Sequence, residues 1–525
     1  MLQATQIWGG NQHLPGLRTA LGLDESAKKR GETDDVEAAA RALVEGMEAR
    51  GWTADAVDAV LAEMPERPGA DRDAIRAVLT FAVEEVVPRV AGTAGELDAV
   101  LHALDGGFIP SGPSGSPLRG LVNVLPTGRN FYSVDPRAIP SRLAYETGVS
   151  LADSLVRRYE QDKGEFPASV GLSLWGTSAM RTAGDDIGEA MALMGIRPVW
   201  DDASRRITGL EAVPLEELGR PRVDVTLRIS GFFRDAFPHA VGLLDDAVQL
   251  AASLEEGESD NYVRAHVQAD LASGTEHRKA TTRIFGSRPG TYGAGLLQLI
   301  DSRDWRTDAD LAEVYEVWGG YAYGRELEGV PARDEMRSAY RRIRVAAKNV
   351  DTREHDIADS DDYFQFHGGM VAHVRSITGD SPEAYIGDST RPEHVATRTL
   401  VEETSRVFRA RVVNPKWMSA MRQHGYKGAF EMAATVDYLF GYDATTGVVA
   451  DWMYDRLTKE YVLDETNRAF LAEANPWALH GMTERLLEAV ERGLWESPDP
   501  QVLAELRAAY LDAEGDLEGA AGAAR

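Results

Sequence analysis

Between residues 168 and 252 the chain alternates short apolar runs with stretches whose apolar residues recur every three or four positions, and no other pattern constrains its fold as much. SVGLSLW reads as a buried strand. GTSAMRTAGDD is a turn into a helix on which Ile187, Ala190, Met191 and Met194 share a face. IRPVW supplies the next strand and RPRVDVTLRIS another, before a helix over 238–252 that aligns Val241, Leu244, Val248 and Ala251. Strands alternating with helices predict an α/β fold, a mainly parallel sheet with flanking helices. Ligands of such sheets bind beyond the carboxyl ends of strands, which points to residues 175–186 and 230–235. Neither segment carries G-x-G-x-x-G, so a dinucleotide site is unsupported.

Helical subdomains are expected on both sides. Val36, Ala40, Leu43 and Met47 form a stripe, and 74–90 and 96–104 look similar, giving a helical subdomain over 1–104. Residues 105–120, DGGFIPSGPSGSPLRG, are too rich in Gly, Pro and Ser for regular structure. LPTGRNFYSVDPRAIPSR then sets Arg129, Arg137 and Arg142 among prolines and aromatics, which suits carboxylate recognition or a solvated loop equally. The α/β domain is expected to run over 105–345. It includes RIFGSRPGTYGAG at 283–295, with four glycines and two arginines, able to cradle an anion. The G-x-x-x-x-G-K-[ST] phosphate loop is missing, so the chain is not itself a P-loop ATPase. A mostly helical domain over 346–515 and a frayed tail over 516–525 complete the expected organisation.

Residues 349–370, NVDTREHDIADSDDYFQFHGGM, concentrate the chemistry. Four aspartates, Asp356, Asp359, Asp361 and Asp362, lie between His355 and His367, and imidazole with carboxylate holds borderline divalent metals. The same residue types also start an ordinary helix, by capping free N–H groups. Tyr363, Phe366, Met370, Val371 and Val374 predict that helix over 361–376, with His367 on its apolar face. Gly368 and Gly369 imply a close neighbour, either another helix or a flat ligand. The two histidines share a site only if His355 lies on the preceding loop.

A formal charge of −28 argues against nucleic-acid or anionic-membrane binding. It suits a soluble cytoplasmic protein, or one that recruits basic partners or cations. With no cysteine, thiolate metal sites, iron–sulfur clusters and cysteine nucleophiles are excluded. No signal peptide or run of eighteen apolar residues is present, so the sequence predicts neither export nor membrane spanning.

Six motifs in order, VLPTGRNFYSVDPRAIP, LSLWGTSAMRTAGDDIGEAMALMGIRPVW, ELGRPRVDVTLRISGFFRDAFPH, TRIFGSRPGTYGAG, NVDTREHDIADSDDYFQFHGGM and NPKWMSAMRQHGYKGAFEM, resemble the CobN/magnesium-chelatase large-subunit family. The likeness runs over about residues 105–495, and the form with two histidines is most similar to the C-terminal half of the CobN branch. The resemblance implies insertion of Co²⁺ into a tetrapyrrole, hydrogenobyrinic acid a,c-diamide, during cobalamin biosynthesis. It implies a tetrapyrrole-binding subunit of an ATP-dependent ligase, with ATP and Mg²⁺ used by separate partners, an AAA+ ATPase subunit and its companion (CobS/CobT-like). On that reading His355, Asp359, Asp361 and His367 hold the metal, and His355, His367 and Asp362 carry the chemistry. Arg129, Arg283 and Arg288 would meet substrate carboxylates, with Trp175 and Tyr292 as faces for the ring. A magnesium chelatase acting on protoporphyrin IX and a non-catalytic tetrapyrrole-binding module are the alternatives. Family large subunits are longer, so the chain reads as part of one.

Overall fold

In the computed structural model of the chain, which describes residues 17–22, 30–113, 122–132 and 134–523, SVGLSL forms strand β1 (Ser169–Leu174), buried at all six positions. Strand β2 (Asp224–Ile229) and, later, β6 (Val345–Val350) are buried throughout as well. A strand covered on both faces reads as a continuous apolar run, because neither face meets water. Between them come β3 (Ile284–Gly286), β4 (Tyr321–Gly324) and β5 (Leu327–Pro331). After them come β7 (Glu383–Asp388) and β8 (Ala396–Thr399).

These strands make one eight-stranded sheet in the order β8-β7-β6-β1-β2-β3-β4-β5. The five central strands are parallel. Antiparallel β8 closes one edge, and antiparallel β4 and β5 the other. From β1 the chain builds outward through β2 and β3, then returns to add β6 and β7 on the opposite side. The order therefore reverses between β1 and β6, and the carboxyl ends of those two strands open on the crevice where such sheets bind ligands.

IRPVW is a strand, Ile196–Trp200, but not in this sheet. It pairs antiparallel with Ile207–Ala212 as a separate hairpin. Pro198 lacks an N–H for a central ladder, and exposed Val199 gives the strand a wet face.

The expected boundary at 345/346 falls at the first bond of β6, and β6 to β8 complete the sheet that β1 began. The helices that follow, including Gly425–Thr446, Pro476–Glu491 and Pro500–Ala523, share one apolar core with it, running from Trp175 to Ala513. The tail expected to fray from 516 is helical to Ala523.

The chain divides into two compact units, residues 1–135 with 180–183, and residues 136–179 with 184–525. In the first, helix Arg30–Ala49 buries Val36, Ala40, Leu43 and Met47 against Val57, Val60, Ile75 and Leu79. The similar-looking stretch Gly95–Leu104 is a helix too, yet none of its residues is buried. Among the described residues no helix is long and apolar enough to cross a membrane.

Candidate functional site

Trp175 follows β1 directly, and Gly176 opens the next helix. Ser230 ends β2 and caps helix Gly231–Ala236, its hydroxyl accepting from Phe233 N at 3.1 Å. The same hydroxyl accepts from Gly176 N at 3.4 Å, and a β-carbon on Gly176 would lie 2.7 Å from the Phe232 ring. The two loops that the sheet rule singled out are thus in contact over the carboxyl edge. The loop after β6 joins them when Ser178 donates to Asp351 at 3.2 Å.

Trp175 is the floor of this crevice rather than an open face for a ring. Tyr363 and Phe366 turn against it with centroids 4.7 and 6.2 Å away, the Lys348 ammonium sits 4.2 Å from its ring centroid, and only 8% of it is exposed.

Lys348 and its neighbours are functional candidates that sequence reasoning missed. The buried ammonium lies 3.4 Å from the Ser173 carbonyl and 3.6 Å from Asp186. Beside it the Asn349 amide donates to Asp186 at 2.9 Å and to Glu189 at 2.5 Å, bridging two buried carboxyl groups. Burial pushes Glu189 up to about 8 against the opposing pull of the Asn349 amide, so it carries its proton at neutral pH. Asp185 and Asp186 occupy the first turn of helix Asp185–Leu193, where the helix dipole favours anions. The available signal was Lys-Asn interrupting the apolar strand VAAKNV, together with three carboxylates in the buried helix DDIGEAMAL.

The His/Asp segment packs on Trp175 through Tyr363 and Phe366. His355 lies on the loop, half-buried, with Nδ1 3.4 Å from the Tyr363 hydroxyl. Asp362 is reached by solvent yet hemmed in by protein. Partial desolvation and then the Asp361 carboxylate push it up to about 6, with Lys348 opposing.

The remaining expected ligands are otherwise engaged. Asp359 lies 3.1 Å from Arg411, which also grips Asp356 at 2.7 and 2.9 Å. Asp361 accepts from Gln365 at 2.5 Å. His367 does stand on the expected helix, which runs from Asp361 to Thr378 with one wide π turn at Phe364–Gly368. The ring points into the core, fully buried, with Nε2 2.9 Å from the Ala346 carbonyl and Nδ1 3.3 Å from the Tyr442 hydroxyl. Burial drives its pKa down to about 4. The four-ligand site expected from the sequence is therefore not assembled, and among the described residues no group of three His, Asp or Glu side chains is disposed to hold a metal ion. The close neighbours of the glycines are protein. A β-carbon on Gly368 would collide with Thr445, and one on Gly369 would lie 2.5 Å from the Tyr315 ring.

The arginines divide by which end of the sheet they occupy. Arg283 precedes β3 at the amino edge and is buried. It donates to Asp224 at 2.8 and 3.1 Å and to the carbonyls of Ala280 and Thr282, so it is an internal strut rather than a substrate contact. Arg129 belongs to the first unit, where its guanidinium is spent on the carbonyls of Asn123, Val124 and Pro126. Arg288 and Tyr292 follow β3 on the carboxyl side, and both are exposed. Buried Arg234, which the sequence did not single out, shapes their loop by donating to the carbonyls of Ser287, Arg288 and Thr291 at 2.9–3.1 Å. It also grips Asp235, which accepts from the Tyr292 hydroxyl at 2.7 Å.

The sequence profile of the CobN/Magnesium Chelatase family matches residues 5–502. The aerobic cobaltochelatase subunit CobN of a Sinorhizobium species is 51% identical over 429 residues, covering 80% of this chain and 34% of that protein. The H-type magnesium-chelatase subunit of Chlorobaculum parvum is 34% identical over 442 residues, covering 83% of this chain and 34% of its own. The catalytic subunit of cobaltochelatase from Mycobacterium tuberculosis superposes with a TM-score of 0.91 at 67% identity, over 98% of this chain and 43% of that one. The chain thus spans about a third of the length of these curated relatives. Within that span the match is continuous from the first unit through the crevice to the C-terminal helices, and the chain belongs to the CobN/magnesium-chelatase family.

Proposed function

We propose that this chain is the part of a cobaltochelatase large subunit that holds the tetrapyrrole and takes a proton from it while Co²⁺ enters. The supporting observation is the crevice at the β1/β6 reversal. There a buried network of Lys348, Asp186, Asn349 and Glu189 lies beside Trp175, and the segment packed on Trp175 carries His355 and Asp362, the latter lifted to about 6. Insertion removes the ring N–H proton that the metal replaces and the water ligands of the ion. A carboxylate whose pKa is near 6 is mostly ionised at neutral pH and basic enough to accept such a proton. The Lys348 ammonium keeps this region from becoming purely anionic, and the released proton goes to the Asp362 carboxylate. Arg288 and Tyr292, on the loop fixed by Arg234, are the candidates for the substrate's polar periphery.

The cobalt reading is favoured over magnesium by 51% against 34% identity. Imidazole from His355 also suits Co²⁺ better than Mg²⁺, which prefers oxygen ligands. Hydrogenobyrinic acid a,c-diamide is the proposed macrocycle. ATP hydrolysis with Mg²⁺ is assigned to separate AAA+ subunits. The test is a reconstituted chelatase containing a complete large subunit with this region and its ATPase partners. Asp362→Asn is expected to leave macrocycle binding, read by absorbance titration, within about threefold and to slow cobalt insertion by about 10²–10⁴. Unchanged insertion in the folded variant rejects the assignment.

A further inference from the structure

Helix Gly95–Leu104, GELDAVLHAL, carries Leu97, Val100, Leu101 and Leu104 at spacings of three and four, the stripe of a helix that packs against something. Those side chains are nonetheless 57–80% exposed, and Phe108 just beyond is 81% exposed. A ten-residue helix is marginal in water by itself, so a stripe facing solvent lacks the contact that ordinarily stabilises such a helix. We propose that this face is the docking surface for the portion of the large-subunit polypeptide that the solved Mycobacterium tuberculosis relative has and this chain does not.

Two observations select that occupant. The superposition accounts for 98% of this chain but only 43% of the relative, so the relative carries a large further portion of polypeptide that could cover such a face. The stripe is also edged by exposed Glu96, Asp98 and Asp105 on a chain of formal charge −28. Two copies of so acidic a surface repel, whereas an apolar segment flanked by Lys and Arg fits it. The inference rests on family membership and not on the chemistry assigned to the crevice, so either can fail alone.

Three measurements test it. Hydrogen exchange of the 95–104 amides in this chain is compared with the superposing helix in the full-length Mycobacterium tuberculosis subunit. Exchange about 100-fold or more slower in the longer protein is expected, and equal rates overturn the proposal. Sedimentation of this chain is expected to show a concentration-independent monomer; self-association abolished by L97E/L101E would assign the face to a second copy and overturn it. The same double substitution is expected to leave the Tm of this chain unchanged, since neither leucine is buried. A marked fall in Tm would place the stripe against the chain's own residues and overturn it too.

Discussion

Acid sensitivity conferred by His367 separates a core histidine from a metal ligand. The ring is fully buried, and its pKa falls from the ordinary 6.5 to about 4 because the cation is desolvated; the Ala346 carbonyl opposes this and Lys348 adds to it. Between those values the unfolded chain binds a proton that the folded chain refuses. The stability contribution is therefore intact above pH 6.5, falls as the pH drops below it, and stops falling near pH 4. A gap of about 2.5 between the two pKa values, at 1.36 kcal/mol for each, gives roughly 3 kcal/mol in full, of which about 2 kcal/mol is lost by pH 5. Guanidinium unfolding of the larger unit at pH 7 and pH 5 reads this as a difference between wild type and His367→Gln. Glu189 and Asp443, both raised by burial, gain stability over ranges that overlap this one, and the comparison cancels them. His367→Gln should cost about 1–3 kcal/mol at pH 7 through the altered contact with Ala346, then lose about 2 kcal/mol less than wild type on going to pH 5. Equal losses in both proteins, or a ring that titrates near 6.5 by NMR, refute the core assignment.

Arg283→Met removes both bonds to Asp224 and leaves a buried carboxylate with His266 Nδ1, 2.7 Å away, as its remaining side-chain hydrogen-bond partner. The larger unit should lose about 3–5 kcal/mol by urea unfolding, and D224N/R283M should recover part of it. A fully stable Arg283→Met with impaired macrocycle binding would return Arg283 to the substrate site. Gly368→Ala should cost about 1–3 kcal/mol through overpacking on Thr445, measured by thermal unfolding. Adding Thr445→Ala should relieve it, and no relief means that the glycine serves another neighbour.

The parallel core was legible because buried strands leave an unbroken apolar record, as in SVGLSL and DVTLRI, and the strand ends alone indicated two loops that the fold brings into contact. IRPVW was not assignable to a sheet, since a short strand does not encode its partner. The 349–370 segment was correctly placed on a loop and then a helix with His367 on its apolar face, but residue types did not show that its ring nitrogens meet Ala346 and Tyr442 rather than a metal. An arginine beside glycines reads the same whether it faces solvent, as Arg288 does, or braces the amino edge, as Arg283 does. Lys348 and Glu189 went unnoticed because they lie on elements far apart in the chain, and only the fold brings Asn349 between Asp186 and Glu189.

The central claim is that proton removal at the crevice belongs to Asp362 and that His367 is structural. The rate of cobalt insertion against pH, in the reconstituted chelatase, tests it most directly. A base whose pKa is about 6 is active when deprotonated, so the wild-type rate should rise with pH through that value and level above it. Asp362→Asn should lose about 10²–10⁴ in rate together with that limb, while folded His367→Gln stays within about threefold of wild type and keeps it. An intact limb in Asp362→Asn, with insertion abolished in folded His367→Gln, would contradict the account.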